Sequence, residues 1–268
     1  VFGSDSTDAF IFASIPVIAF FISLWWKASK EDKEPIAALL AIFAVAIIFW
    51  AVFKQNASAL TAFAESYTNR EIPEMIEPLA KPLGMVQNIS ATPDSFPQMD
   101  ENFRPVRDDQ GNKIKVLSPD PYLQNLEKSK WPAEGNSLKL ISTEIYQSVN
   151  PFFIIFLTPL IVGLFGWLRK RGKEPSLPAK IALSLFITGF SAVVMVAAVL
   201  FTDITTDKAT SLWLIGSYFV ITIGELFLSP VGLSLVSKLS PPRITSLMMG
   251  GWFLATSIGN KLSGVIAS

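Results

Sequence analysis

The feature that most constrains this chain is the segregation of its charges. Long stretches carry none, while the short stretches between them are dense in Lys, Arg, Glu and Asp. A soluble domain spreads charge over the wet face of every amphipathic element, so the blockwise layout points to a bilayer as solvent. A membrane span needs roughly 20 mostly apolar residues. Six runs have that character, at 9–26, 35–66, 143–168, 178–202, 209–237 and 243–268. The expected fold class is therefore an all-α integral membrane protein with about six spans present.

The connections give an orientation. WLRKRGKEPSLPAK sets Arg169, Lys170, Arg171, Lys173 and Lys180 against the single acid Glu174, so the positive-inside rule makes that link cytoplasmic. Counting outward puts 27–34 and 237–245 on the same side, with 202–209 and 67–142 outside. The predicted location is multi-pass in the cell inner (plasma) membrane, with 67–142 extracytoplasmic. That segment has prolines at 73, 78, 82, 93, 97, 105, 119, 121 and 132, a spacing that forbids a long helix. It is either a partly ordered loop or a small accessory domain, with a hairpin possible around Gly111. Asn88-Ile-Ser90 is a glycosylation sequon, a triplet that is frequent by chance.

Several function classes fall away. Formal net charge is zero, which gives no electrostatic case for nucleic acid. Without cysteine or histidine there are no disulfides, thiolate metal sites or imidazole bases, so proton chemistry must run on carboxylates or lysine amines. No phosphate-cradling Gly-Lys-Ser/Thr loop, metal-ligand cluster or activated serine is present. The chain is expected to be no enzyme and to use no cofactor beyond protons as coupling ion.

Two ionisable residues lie inside apolar spans, where a charge is costly and is paired, water-facing or functional. They are Lys54, in IIFWAVFKQNASAL, and Glu225, in FVITIGELFLSPVGLS. Pairing with a neighbouring helix for packing alone competes with a functional role at each. Gly224 allows close approach beside Glu225, and Ser229-Pro230 with Gly232 is expected to break the helical ladder, as at transporter binding sites. Gln147, Ser148 and Asn150 cluster ahead of Pro151, with a second break expected at Pro159; a helix cap at the interface is the competing reading. Gly251, Ala255, Gly259 and Ser263 recur every four residues, a stripe that lets helices pack closely. Trp252 beside it is an interface anchor or the wall of a pocket.

GELFLSPVGLSLVSKLSPPRITSLMMGGWFLATSIGN, residues 224–260, closely resembles the tenth and eleventh helices of the proton-dependent oligopeptide transporter family, in the major facilitator superfamily. IIFWAVFKQNASAL resembles that family's seventh helix and YQSVNPFFIIF its eighth. The resemblance implies that 1–34 is an inserted linker helix of the bacterial type with its cytoplasmic link, and that 35–268 is the C-terminal bundle. It also implies that an N-terminal six-helix half and a final helix belong to the same transporter outside this stretch. Glu225 would then receive the peptide's amino terminus and couple protons, and Asn150 would bind the same end. Trp252, Phe253 and Trp50 would line side-chain pockets, with Ser229 among the substrate contacts. Lys54 stands where many members carry an acid, and would pair with Glu225 or with an acid of the other half as a gate.

The expectation is proton-coupled symport of di- and tripeptides by alternating access. Its partners would be peptides, protons, the lipid bilayer and the other half of the transporter. Another substrate on the same fold (nitrate, another anion or a drug) and a non-transporting receptor using 67–142 are the alternatives.

Overall fold

The computed structural model describes residues 6–98 and 105–267; Ser268, the end of the sixth expected span, lies outside them. In chain order the first elements are α1 (Ser6–Lys27), α2 (Lys30–Phe53), α3 (Ala59–Tyr67) and β1 (Thr68–Asn69). Next come α4 (Glu77–Ala80), β2 (Val86–Ser90), β3 (Asp94–Pro97), β4 (Lys115–Ser118), α5 (Pro121–Gln124) and β5 (Ser137–Ile141). The chain continues with α6 (Glu144–Lys170), α7 (Leu177–Phe201), β6 (Ala209–Thr210), α8 (Ser211–Leu239) and α9 (Thr245–Ala267).

Each of the six apolar runs is mostly helical over its described residues, and among the described residues five helical stretches are long and apolar enough to cross a membrane: α1, α2 with α3, α6, α7 and α8. The sixth, α9, has the length, 23 residues, but is diluted by Gly, Ser and Thr and by Asn260 and Lys261.

Three expected details change. The run 35–66 is not one helix: α2 stops at Phe53, a 3-10 turn covers Lys54–Ala57, and Ser58 (φ −126°, ψ −83°) precedes α3. The prolines cost single ladder hydrogen bonds without ending their helices. Helix α6 runs on through Pro151 and Pro159, and α8 through Pro230. A proline removes one N–H, but in lipid the remaining ladder and the neighbouring helices hold the two sides together. Nor do Gln147, Ser148 and Asn150 cap α6, since that helix already starts at Glu144.

The chain divides into two compact units. One comprises the residues up to Ser58, Ile154–Phe190 and Val220–Ala267; the other comprises Ala59–Phe153 and Ser191–Phe219.

In the first unit, α2 starts on Ser29, whose hydroxyl caps the Asp32 N–H, with Glu31 and Asp32 favourable at the positive helix end. Arg243, just before α9, pairs with Asp32. From there α9 lies along α2, and the small residues make this possible. A Cβ on Gly251 would sit 2.6 Å from the Phe43 ring and 2.9 Å from Phe21 of α1. One on Gly259 would sit 2.6 Å from the Trp50 Cβ and 2.7 Å from the Ile47 carbonyl. Ala255 and Ser263, on the same stripe, are buried. Gly259→Ala is therefore expected to lower the apparent Tm, since the obstacles are a backbone carbonyl and a Cβ that cannot swing aside, and overpacking costs about 1–3 kcal/mol. Gly250→Ala, with nothing within 4 Å, is the control that should melt as the parent does.

The second unit contains the extramembrane segment, which is folded. Strand β2 pairs antiparallel with β5, β3 with β4, and β1 lies parallel to β6. Ile89, Tyr122, Leu123, Leu126 and Leu140 form a buried core flanked by Trp131 and Leu138. No described helix between β1 and α6 exceeds four residues, as the prolines require. The hairpin around Gly111 forms: Gly111 takes φ +83°, Arg107 bridges Lys113, and the Asp108 carboxylate accepts from the Gln110 and Asn112 N–H groups.

One arginine joins these parts. Arg70, 1% exposed, donates to the Ile141 carbonyl (2.6 Å), to Gln87 Oε1 (3.1 Å) and to the Glu65 carbonyl (3.3 Å). Its guanidinium lies 5.4 Å from the Tyr122 ring centroid, and Lys208 Nζ lies 4.6 Å from the same ring while donating to the Ser66 carbonyl. Burial pushes the Tyr122 phenol up to about 12 and the Lys208 ammonium down to about 8. Between pH 8 and the ordinary 10.5 the unfolded chain holds a proton on Lys208 that the folded domain has released, so stability rises with pH across that window. Below pH 8 both states are protonated and the dependence vanishes. Lys208→Met should flatten the rise in a series of melts across that range.

Candidate functional site

The site is built on the second half of α8. Helix α7 carries Ser184 and Thr188 four residues apart, hence on one face. The Ser184 hydroxyl donates to the Gly224 carbonyl at 2.8 Å, and the Thr188 hydroxyl occupies the place a Cβ on Gly224 would take. The two helices thus touch backbone to backbone at the residue before Glu225. Any side chain at 224 would push them apart and carry the carboxylate with α8. Glu225 itself is half-buried.

Ser229 and Gly232 follow Glu225 at four and seven residues, so the three share one stripe of α8. Trp252 of α9 packs its six-membered ring directly over Gly232 and is 3% exposed. Trp252 is thus an inner wall of this unit, two turns along the stripe that bears Glu225. Phe253, one residue on, is rotated out of the unit and is 61% exposed. Ser229 is partly buried between Glu225 and the tryptophan.

Trp50 and Lys54 lie where α2 gives way to the 3-10 turn. The Trp50 indole stands edge-on to Phe49 (5.4 Å) and Phe53 (5.3 Å), and its N–H is buried with no acceptor among the described residues. Lys54 Nζ lies 5.9 Å from the Trp50 ring centroid and 5.8 Å from that of Phe53, a setting in which the ring faces attract the ammonium. Gln55 fixes the turn by donating to the Ser263 carbonyl of α9 at 3.2 Å. A cation is thereby held where the helical ladder is interrupted, the backbone arrangement common to transporter ion and substrate sites.

Asn150 belongs to the other unit, partly buried on the second turn of α6, with Gln147 and Ser148 exposed before it. Among the described residues no group of three or more acids could hold a metal. Three contributors escaped the sequence reading: Ser184, Thr188 and Gln55. The polar pair at i and i+4 inside the uncharged run of α7 was the available signal for the first two.

These features define a multi-pass helical membrane protein. Residues 136–268 match the sequence signature of the POT family. It is 28% identical over 254 residues to a "Di-/tripeptide transporter" of Lactococcus lactis subsp. lactis, which covers 94% of this chain and 38% of that protein. It is 27% identical over 256 residues to the "Uncharacterized transporter YclF" of Bacillus subtilis, again over 94% and 38%. A crystal structure of a POT peptide transporter in complex with sulfate superposes with a TM-score of 0.64 at 23% identity, covering 96% of this chain and 39% of that one. The likeness shows a shared helical membrane-protein fold. The chain spans about two fifths of the length of these proteins.

Proposed function

We propose that this chain is part of a symporter that moves di- and tripeptides with protons across the cytoplasmic membrane by alternating access. The observation that carries this is the half-buried Glu225 on α8, held against α7 through Gly224 and followed along its stripe by Ser229 and the Trp252 wall. A zwitterionic peptide needs an anion for its amine and a cation for its carboxylate, with apolar walls between. Glu225 is the anion, and Trp252 and Trp50 are walls; the carboxylate-binding cations belong to the rest of the transporter. Protonating Glu225 removes its charge and its hold on an amine, so proton load and substrate release are linked through one group. Lys54, over its aromatic floor, is the second gate. The 67–142 segment then lies outside the cell.

The test is uptake of labelled dialanine into proteoliposomes holding the full-length transporter under an imposed inward proton gradient. Uptake should collapse with a protonophore and be competed by unlabelled di- and tripeptides. Competition by nitrate with none by peptides would assign the fold a different cargo.

A further inference from the structure

The extramembrane domain carries an apolar face that its own core does not use. Met75, Leu79 and Leu83 recur every four residues and are 88%, 72% and 72% exposed, with Ile76 beside them at 49%. They occupy the turn before α4, α4 itself and the 3-10 turn Lys81–Leu83 that continues it, while Ala80 and Glu77 face inward. Along Met75–Met85 the only charged side chains are Glu77, tied to Lys139 at 2.7 Å, and the exposed Lys81.

The position of this face identifies what covers it. Both ends of the segment are stitched to the strand that enters α6. The Ile72 N–H donates to the Lys139 carbonyl, and the Ser142 N–H donates to the Met85 carbonyl at 2.9 Å. Ser142 stands two residues before the start of the membrane-spanning α6 at Glu144, a rise of about 7 Å at most in extended chain. The other side leads through Arg70, whose carbonyl accepts from the Ile141 N–H, back to the end of α3 at Tyr67. The apolar turn is thereby tied within a few residues of the ends of α3 and α6, and the layer that a spanning helix meets at its end is that of the lipid headgroups. A short, nearly uncharged helix with an apolar outer row and one lysine free to reach phosphates suits that layer.

We propose that Met75–Leu83 lies in the bilayer interface as a monotopic anchor that seats the extramembrane domain on lipid. The occupant of the face is lipid, and the inference does not depend on which substrate is carried.

The chain contains no cysteine, so once any cysteine elsewhere in the transporter is replaced, nitroxide labels can be placed singly by Leu79→Cys and Leu83→Cys, with Asn88→Cys on the exposed side of β2 as the aqueous control. The full-length transporter is reconstituted in phosphatidylcholine–phosphatidylglycerol vesicles. Collision of each label with oxygen is compared with collision with a water-soluble nickel chelate. Labels at 79 and 83 should favour oxygen, and the ratio should reverse at 88. Nickel access at 79 and 83 equal to that at 88 overturns the proposal, because the face is then in water. Shielding from both reagents also overturns it, because protein rather than lipid then covers the face. All three positions are solvent-exposed, and an unchanged apparent Tm confirms that each labelled protein is folded.

Discussion

Glu225→Gln is expected to abolish proton-driven dipeptide uptake while leaving the fold intact. The substitution keeps the size and hydrogen-bonding reach of the side chain but removes its capacity to take up or release a proton. The neighbours that fix the helix are untouched: Ser184 still binds the Gly224 carbonyl, and Trp252 still covers Gly232. The folded protein should therefore still be recovered, as read by its apparent Tm. Gradient-driven uptake should fall to background. If charge at 225 also holds the substrate amine, equilibrium binding of dialanine weakens as well; if it serves coupling alone, counterflow exchange survives. Near-normal gradient-driven uptake by the Gln variant would remove Glu225 from the mechanism altogether.

Arg70→Ala should do the opposite, damaging the fold rather than the chemistry. The guanidinium is a shared donor for three segments: the end of α3 through the Glu65 carbonyl, β2 through Gln87, and β5 through the Ile141 carbonyl. Deleting it leaves three acceptors without their donor and removes the cation from the Tyr122 face. Breaking a buried charged network in this way costs about 3–5 kcal/mol, comparable with the whole stability of a small domain. Limited proteolysis is the direct readout, because the extramembrane segment is studded with Lys and Arg from Arg107 to Lys139. Cleavage there should become rapid while the membrane helices stay protected. Resistance equal to that of the parent would show that β-pairing alone holds the domain.

The contrast between these residues explains what was legible beforehand. An uncharged run of 20 residues can do little in a cell except cross a membrane, so the helices were visible from hydropathy. Glu225 and Lys54 were visible for the complementary reason, as charges where none should be. The interruption at Lys54–Ala57 was not, because Lys-Gln-Asn-Ala contains no proline or glycine and its 3-10 geometry is fixed by a carbonyl from a helix some 200 residues later. The proline signals misled in the other direction. Pro230 costs α8 one hydrogen bond, at the Leu226 carbonyl, yet the helix continues because its flanks are packed on both sides of that rung.

The extramembrane domain was the least legible part. Its core draws Ile89, Tyr122 and Leu140 from strands and turns up to fifty residues apart, and none of them sits in a periodic run. Only the Gly111 hairpin, a local event, could be read from neighbouring residues. Arg70 looked like one basic residue in a mixed-charge loop, since burial of a charge is a property of the assembled strands.

The joints of that domain have a practical meaning. β1 follows α3 with no intervening residue, β5 reaches α6 across two, and β6 runs straight into α8, where the Ser211 hydroxyl donates to the Asn69 carbonyl. There is no linker at any of these crossings to absorb a tilt. An antibody fragment gripping the β2–β5 sheet would consequently turn with the helix ends beneath it. For electron cryo-microscopy in a micelle, the domain is a built-in fiducial, and its orientation in sorted particles becomes a protractor for the helix ends of its own unit.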